Sequence, residues 1–340
     1  MSTTATEIVL PGRVEPDGLL VTQRELPAPG AGEALVRVEA SGVSFAEQQM
    51  RRGKYYDQPA YPFVPGYDLV GTVTAVGAEV DPALVGTRVA ALTKIGGWAS
   101  HAVLDAADLI PVPAALDAAE AETFVVNGIT AWQMLYRTAK VRPGQTVLVH
   151  GANGGVGSTL VQLARANGIR VIGTASARNA DAVRALGATW IDYRGEVSSE
   201  VRALAPDGVD AVFDHIGGPG INDSFALLAP GGTLVSYGTA ATKNDEGNSR
   251  LPVLKLLGRL LLWNALPNKR NAHFFNLWAG KRDRAGFRAR VIEDLGKVFD
   301  LAARGDLRAQ VAARIPLTDA ARAMELAESR TVVGKVVIVA

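Results

Sequence analysis

The chain contains no cysteine. That absence excludes disulfides, thiolate nucleophiles and cysteine-bound zinc in one step. Histidine is scarce, with four in 340 residues, and positions 101, 150, 215 and 273 show no ligand spacing. Neither sign of charge dominates. The balance of 35 Lys and Arg against 34 Asp and Glu gives a net charge of +1, and no basic block offers a footprint for nucleic acid. No apolar run is long enough to cross a bilayer; the longest, residues 251–266, is interrupted by Lys255, Arg259 and Asn264. The N-terminal residues 1–7 are polar and lack a basic-then-apolar signal, so a cytoplasmic protein is expected.

What is present is a globular composition, 48% hydrophobic and 20% charged, in a chain long enough for two domains. The organising stretch is Thr146 to Gly157, T-V-L-V-H-G-A-N-G-G-V-G. Thr146 to Val149 is a short β-branched run suited to a strand buried on both faces. Glycines follow at 151, 154, 155 and 157, and then Val156, Leu160, Leu163 and Ala164 recur at helical spacing. Strand, glycine turn and helix in that order aim unpaired backbone N–H groups at a pyrophosphate. Gly154, Gly155 and Val156 are therefore candidate cofactor contacts.

The pattern repeats downstream. Helix 155–166, strand 170–175, helix 179–186, strand 189–192, a helix near 197–205, strand 209–215, a helix near 220–228 and strand 233–237 follow one another. Alternation of this kind predicts an α/β fold with a doubly wound parallel sheet. Residues 5–110, by contrast, read as short alternating strands separated by Gly and Pro. A polar loop is expected at 240–250, helices near 252–266 and 283–304, and a closing strand at Lys335 to Val339.

These segments together resemble a family. A-S-G-V-S-F-A-E (40–47), P-G-Y-D-L-V-G-T-V (65–73), V-V-N-G-I-T-A-W (125–132), V-L-V-H-G-A-N-G-G-V-G (147–157), I-D-Y-R (191–194) and V-G-K-V-V (333–337) carry the likeness. The chain is similar to the medium-chain dehydrogenase/reductases, in the zinc-independent quinone oxidoreductase branch and nearest its vesicle amine transport group. The resemblance implies a Rossmann domain at 126–269 inserted into a β-rich GroES-like domain at 1–125 and 270–340, with ligand in the cleft between them. Zinc members carry Cys and G-H-E where this chain has Ser44 and Gly66-Tyr67-Asp68, so no metal is expected.

The resemblance also implies a nicotinamide cofactor. Strand 170–175 leads to Ser176 with no carboxylate, and Arg178 follows; a hydroxyl and a guanidinium suit the 2′-phosphate of NADPH. Tyr193 occupies the position implied to contact that phosphate or adenine. Asn127 and Thr130, Ile216, and Tyr237, Gly238 and Thr239 are implied to line the rest of the cofactor, with Phe275 and Lys335 in segments closing over it. His150 reads as a packed strand-end residue. Ser44, Tyr56 and Tyr67 are the candidate catalytic hydrogen-bonding groups.

The implied reaction is NADPH-dependent hydride transfer to a quinone or activated enone. Two other readings stand beside it: reduction of an unsaturated thioester or ketone, and a non-catalytic NADPH-binding sensor. The 251–266 helix is expected to roof the substrate pocket rather than face a membrane. A homodimer is expected, formed through Thr233 to Tyr237 as the edge strand.

Overall fold

The computed structural model describes residues 2–238 and 250–340. They divide into two compact units, Met1–Ile129 with Gly280–Ala340, and Thr130–Ala279. The first unit opens with the antiparallel hairpin of β1 (Thr3–Val9) and β2 (Leu20–Leu26). It continues through β3 (Glu33–Val43), α1 (Phe45–Arg51), β4 (Asp68–Val76), β5 (Arg88–Leu92), β6 (His101–Asp105), β7 (Ile110–Pro111) and into α2 (Ala118–Trp132). The second unit runs β8 (Thr146–His150), α3 (Gly155–Ala166), β9 (Arg170–Ala175), α4 (Ala180–Ala185), β10 (Thr189–Asp192), α5 (Val197–Leu204), β11 (Val209–Asp214), α6 (Ile221–Ala226), β12 (Leu228–Ser236), α7 (Arg250–Ala265) and β13 (Asn271–Phe274). The chain then returns to the first unit with α8 (Arg284–Ala303), β14 (Val311–Pro316), α9 (Ala320–Ser329) and β15 (Lys335–Val339).

In the first unit the sheet order is β14-β15-β3-β4-β5-β7, with β6 also paired to β3. Alternate residues of β3 (Ala34, Val36, Val38) pack against Leu69 and Val73 of β4 and Val89 and Ala91 of β5. This is the period-2 burial that the alternating sequence predicts. The last strand pairs antiparallel with the third, setting Val336 opposite Val43. That register brings Lys335 beside Gly42, although almost three hundred residues separate them in sequence.

In the second unit, among the described residues, the strands lie in the order β10-β9-β8-β11-β12-β13, and every pairing is parallel. The order reverses between β8 and β11, which makes the carboxyl ends of those strands the switch point of a doubly wound sheet. Val147, Leu148 and Val149 of β8 are fully buried. A strand flanked by two others, with helices on its faces, has no solvent side, so its sequence does not alternate.

Two expectations change. Thr233 to Tyr237 is not an edge: β12 hydrogen-bonds β11 on one side and β13 on the other. The edge is β13, a strand too short and too polar (N-A-H-F) to stand out in the sequence. The closing region also holds β14 and α9, which the sequence pattern did not separate from the 283–304 helix and the last strand. Thr239 and the loop expected at 240–250, apart from its last residue, lie outside the described residues.

Candidate functional site

The glycine turn is built by close approach. Gly151 takes the left-handed conformation, with φ of 65°, immediately after β8. A Cβ at Gly157 would stand 2.2 Å from the Gly151 carbonyl oxygen, so only glycine lets the first turn of α3 pass so near the strand end. Gly154 is the N-cap of α3 in extended conformation, and its own side makes no capping hydrogen bond. The N–H groups of Gly155 and Val156 thus belong to the first turn of a helix that starts without a side-chain cap, the arrangement that receives an anion.

His150 anchors this turn from below. Its Nδ1 lies 3.1 Å from the Thr174 hydroxyl and its Nε2 3.1 Å from the Ser224 hydroxyl. Ser224 donates to Asp214 at 2.7 Å, so its oxygen must accept from His150 Nε2–H, and Nδ1 accepts from Thr174. The other oxygen of Asp214 accepts the N–H groups of Ile216 and Gly217 at 2.7 and 2.9 Å. Burial pushes the imidazole below its ordinary value of 6.5, against the opposing pull of Asp214, so it is held neutral. One chain of hydrogen bonds thereby ties together the carboxyl ends of β8, β9 and β11 and the helix α6. The sequence offered His150 only as a packed residue; its two partners, Thr174 and Ser224, come from two other segments, and Asp214 joins through Ser224.

Ser176 and Arg178 follow β9 directly, and Tyr193 follows β10, the strand paired with it. Ser176 is buried and its hydroxyl accepts from Asn179 Nδ2 at 3.3 Å. Arg178 is exposed in the short 3-10 turn Ala177–Asn179 that follows. The Tyr193 N–H donates to Ala175 O at 3.3 Å, which fixes its exposed ring beside the same strand end, with the Arg194 guanidinium 5.5 Å above it. No carboxylate stands at the end of β9 itself. Further along the sheet, the Tyr237 N–H donates to Asp214 O at 2.9 Å and its ring lies 5.9 Å from His215. A Cβ on Gly238 would stand 2.7 Å from the His215 carbonyl oxygen. Phe275 follows β13 and donates its N–H to Ser236 O at 2.8 Å. On α2, Asn127 and Thr130 are both buried.

The first unit holds a separate cluster. Ser44 caps α1 in a capping box, its hydroxyl and N–H both bound to the Glu47 carboxylate. The second oxygen of Glu47 accepts the Tyr67 N–H at 2.6 Å. Ser44 is therefore committed to holding the helix start, and its hydroxyl is not spare for a substrate. The Tyr67 hydroxyl lies 2.7 Å from that of Tyr55, and the Tyr56 ring packs 4.8 Å from the Tyr55 ring. Burial raises the phenols of Tyr55 and Tyr56, so both keep their protons at neutral pH. Tyr55, which was not among the candidate residues, is the link between the two tyrosines that the sequence selected.

Beneath Tyr67 sits Asp68, fully buried. Its Oδ2 accepts the Val126 N–H and the Lys335 ammonium, each at 2.9 Å. Lys335 also donates to Glu122 at 2.5 Å. Burial alone would lower the Lys335 ammonium, but the Asp68 and Glu122 charges outweigh it and raise the group above its usual range. Burial first, and the Asp68 charge second, push the Glu122 carboxyl well above the ordinary carboxylate range. Asp68 Oδ1 and Glu122 Oε2 find no hydrogen-bond donor among the described residues. Lys335, placed by the resemblance in a segment closing over the nicotinamide, is bound within the first unit to Asp68 and Glu122.

A glycine-cornered phosphate turn on a doubly wound sheet, joined in one chain to a β-rich unit assembled from both chain ends, defines a dinucleotide-dependent dehydrogenase or reductase. Residues 30–114 match the alcohol dehydrogenase GroES-like domain and residues 186–338 the zinc-binding dehydrogenase family. A human synaptic vesicle membrane protein VAT-1 homolog-like protein is 30% identical over 338 residues, covering 97% of this chain and 80% of the relative. Among solved structures, a mycobacterial protein complexed with NADPH is 31% identical with a TM-score of 0.83, covering 99% of this chain and 100% of that one. Escherichia coli quinone oxidoreductase complexed with NADPH is 26% identical with a TM-score of 0.86, covering 98% of this chain and 100% of that one. The chain belongs to the medium-chain dehydrogenase/reductase family, among the VAT-1 homologues and quinone oxidoreductases. It spans 66% of the zebrafish VAT-1 homolog and 53 to 55% of the mouse, rat and human proteins of that name.

The residues present do not fit the zinc that one of these family descriptions carries. The chain has no cysteine; Ser44 is bound to Glu47, the Tyr67 hydroxyl lies against that of Tyr55, and Asp68 is held by Lys335 and Val126. Among the described residues no group of three or more His, Cys, Asp or Glu is placed to hold a metal ion.

Proposed function

We propose that this protein is a metal-independent, NADPH-dependent oxidoreductase that passes a hydride to a quinone or an activated enone. The observation that carries the reading is the end of β9, which runs into Ser176 and Arg178 with no carboxylate of its own, while Tyr193 lies beside it through its N–H bond to Ala175 O; the neighbouring carboxylate, Asp192, belongs to β10. A carboxylate there would accept the ribose 2′-hydroxyl of NADH, whereas a hydroxyl with a guanidinium suits a 2′-phosphate. Binding of NADPH by the two solved relatives supports the same choice.

In this reading the N–H groups of Gly155 and Val156 receive the pyrophosphate beside Gly154, whose own N–H donates to Gly151 O at 3.0 Å, and Ser176, Arg178 and Tyr193 hold the adenosine end. Ile216, Asn127, Thr130, Tyr237, Gly238 and Phe275 line the remainder. The bound cofactor supplies the hydride; the chain supplies orientation and protons. Within the first unit, Tyr67, hydrogen-bonded to Tyr55, and half-buried Tyr56 are the candidate proton-holding groups. The protein would act in the cytoplasm as a homodimer, whose shared sheet edge would have to be β13.

The test is stopped-flow mixing of enzyme-bound NADPH, and of NADH in parallel, with a panel of quinones and enones. Loss of reduced-nicotinamide absorbance, with NADPH strongly preferred, supports the reading. Tight NADPH binding with no oxidation by any acceptor overturns the enzymatic role, and equal binding of both cofactors overturns the assignment of Arg178.

A further inference from the structure

The loop between β11 and α6 turns on two consecutive left-handed glycines, Gly217 and Gly218, with φ of 65° and 64°. Glycine backbone is conformationally soft, so a fixed loop of this kind needs a restraint from outside. Asp214 supplies it from the strand end. One of its oxygens accepts the N–H groups of Ile216 and Gly217, and the other accepts the Ser224 hydroxyl at 2.7 Å, ten residues along the chain. The carboxylate thus closes the loop by binding both of its ends. The Asp214 backbone carbonyl also accepts the Tyr237 N–H at 2.9 Å.

The clamp does not stop at the loop. Ser224 spends its proton on Asp214, so towards His150 it accepts, from Nε2–H. His150 Nδ1 is then bare and accepts from the Thr174 hydroxyl, whose oxygen in turn accepts the Gly151 N–H at 3.3 Å. Every donor points the same way, from the phosphate turn towards the Asp214 charge. Reversing one link forces the next to turn as well, and a buried chain that ends on a charge is polarised along its length. Thr174, His150, Ser224 and Asp214 are each at most 8% exposed, so water does not replace a lost link. The two loops are also neighbours in space. Strands β8 and β11 pair in parallel, and a Cβ on Gly151 would stand 2.5 Å from His215 Cε1.

We propose that Asp214 and Ser224 are positioning residues for the dinucleotide. Through His150 and Thr174 they hold the phosphate turn after β8 in register with the loop after β11, and the Asp214 charge sets the His150 tautomer on which this register depends. Both act through other groups, because every polar side-chain atom they carry is taken up within the protein. The inference rests on the reading that the two loops contact NADPH.

The test begins with nitrogen NMR of the histidine side chains in the full-length protein, where the His150 signals are those missing from His150→Gln. The wild type should show the neutral Nε2–H tautomer. Asp214→Asn presents an amide that donates to Ser224, so the chain should turn round and His150 should change to the Nδ1–H tautomer. NADPH affinity is then read by fluorescence titration. Ser224→Ala and Thr174→Val should each weaken NADPH by at least about fivefold, and the double variant by no more than the worse of the two, since either break interrupts the same chain. Thr174→Ser, which keeps the hydroxyl, should retain the affinity that Thr174→Val loses. An Nδ1–H tautomer in the wild type overturns the proposal without any variant, as does an unchanged tautomer in Asp214→Asn. Additive losses in the double variant, the mark of a fold merely loosened at two places, also overturn it. If the wild type binds no NADPH, the cofactor reading falls and the positioning role with it. If the wild type binds and the variants bind as tightly, only the positioning role falls.

Discussion

The Lys335 ammonium lies 2.9 Å from the carboxylate of Asp68, a residue 267 positions earlier in the chain, and both side chains are almost wholly buried. Because Glu122 shares the same ammonium, losing the lysine leaves a carboxylate pair with no cation. Lys335→Met is expected to cost about 3–5 kcal/mol, read from urea denaturation. Lys335→Met combined with Asp68→Asn and Glu122→Gln should recover part of that loss, because the uncompensated charge is then gone. A mild effect of the single variant would mean that the site is not closed to water.

Gly42 is where this cluster touches the backbone of β3. A Cβ there would stand 2.0 Å from Lys335 Cε and 2.4 Å from Glu122 Oε1. A free lysine would swing aside, but this one is held by two carboxylates. Gly42→Ala should therefore destabilise by about 1–3 kcal/mol, and the loss should shrink in the Lys335→Met background. A double-mutant cycle measures the coupling.

The phosphate turn makes a contrasting prediction. At Gly157 the added Cβ would meet backbone, the Gly151 carbonyl oxygen at 2.2 Å, so no side chain can yield. Gly157→Ala should displace the first turn of α3 and weaken NADPH binding by at least about tenfold in fluorescence titration. Unchanged affinity would remove the turn from the cofactor site.

In the proposed reading, cofactor choice rests on the exposed guanidinium of Arg178. Arg178→Ala should weaken NADPH by about tenfold or more, the usual worth of a charge-assisted contact to phosphate, while leaving NADH affinity within about twofold. Parallel titrations decide it. Equal losses for both cofactors would show that Arg178 does not read the 2′-phosphate.

His150 ties stability to pH. Burial depresses its folded-state value below 6.5, so the unfolded chain takes up a proton where the folded protein does not. The stability that this histidine contributes is fully present above pH 6.5 and falls as pH drops below it, by at most about 1.4 kcal/mol per pH unit. His101 and His273 are lowered by burial in the same direction, so the wild type alone does not isolate the effect. The difference between wild type and His150→Gln does: the variant should be less stable near neutrality and show a shallower decline on acidification. Parallel pH curves would remove His150 from the linkage.

The parallel sheet and the glycine turn were readable in advance because each rests on neighbouring residues. Val147 to Val149 announce a strand without a wet side, Gly151 to Gly157 a backbone that must approach itself, and Ser176 to Arg178 a strand end without an acid. Such signals span a dozen residues or fewer, the range over which backbone conformation and side-chain period act. The same range explains the errors. Thr233 to Tyr237 looks like an edge until Asn271 to Phe274, thirty-odd residues later, pairs with it.

The sequence by itself determined the family, the fold class and the absence of cysteine chemistry. Tertiary structure alone decided which polar groups meet. The antiparallel register of β15 on β3 buries Lys335 among Asp68 and Glu122, and the packing of four segments threads Thr174, His150, Ser224 and Asp214 into one chain. It also decided which leucines of α7 stay in water, because Trp263 and Asn264 fix the rotation of the helix. Residue type sets what a group can do. Burial and partners, which are properties of distant contacts, set what it does.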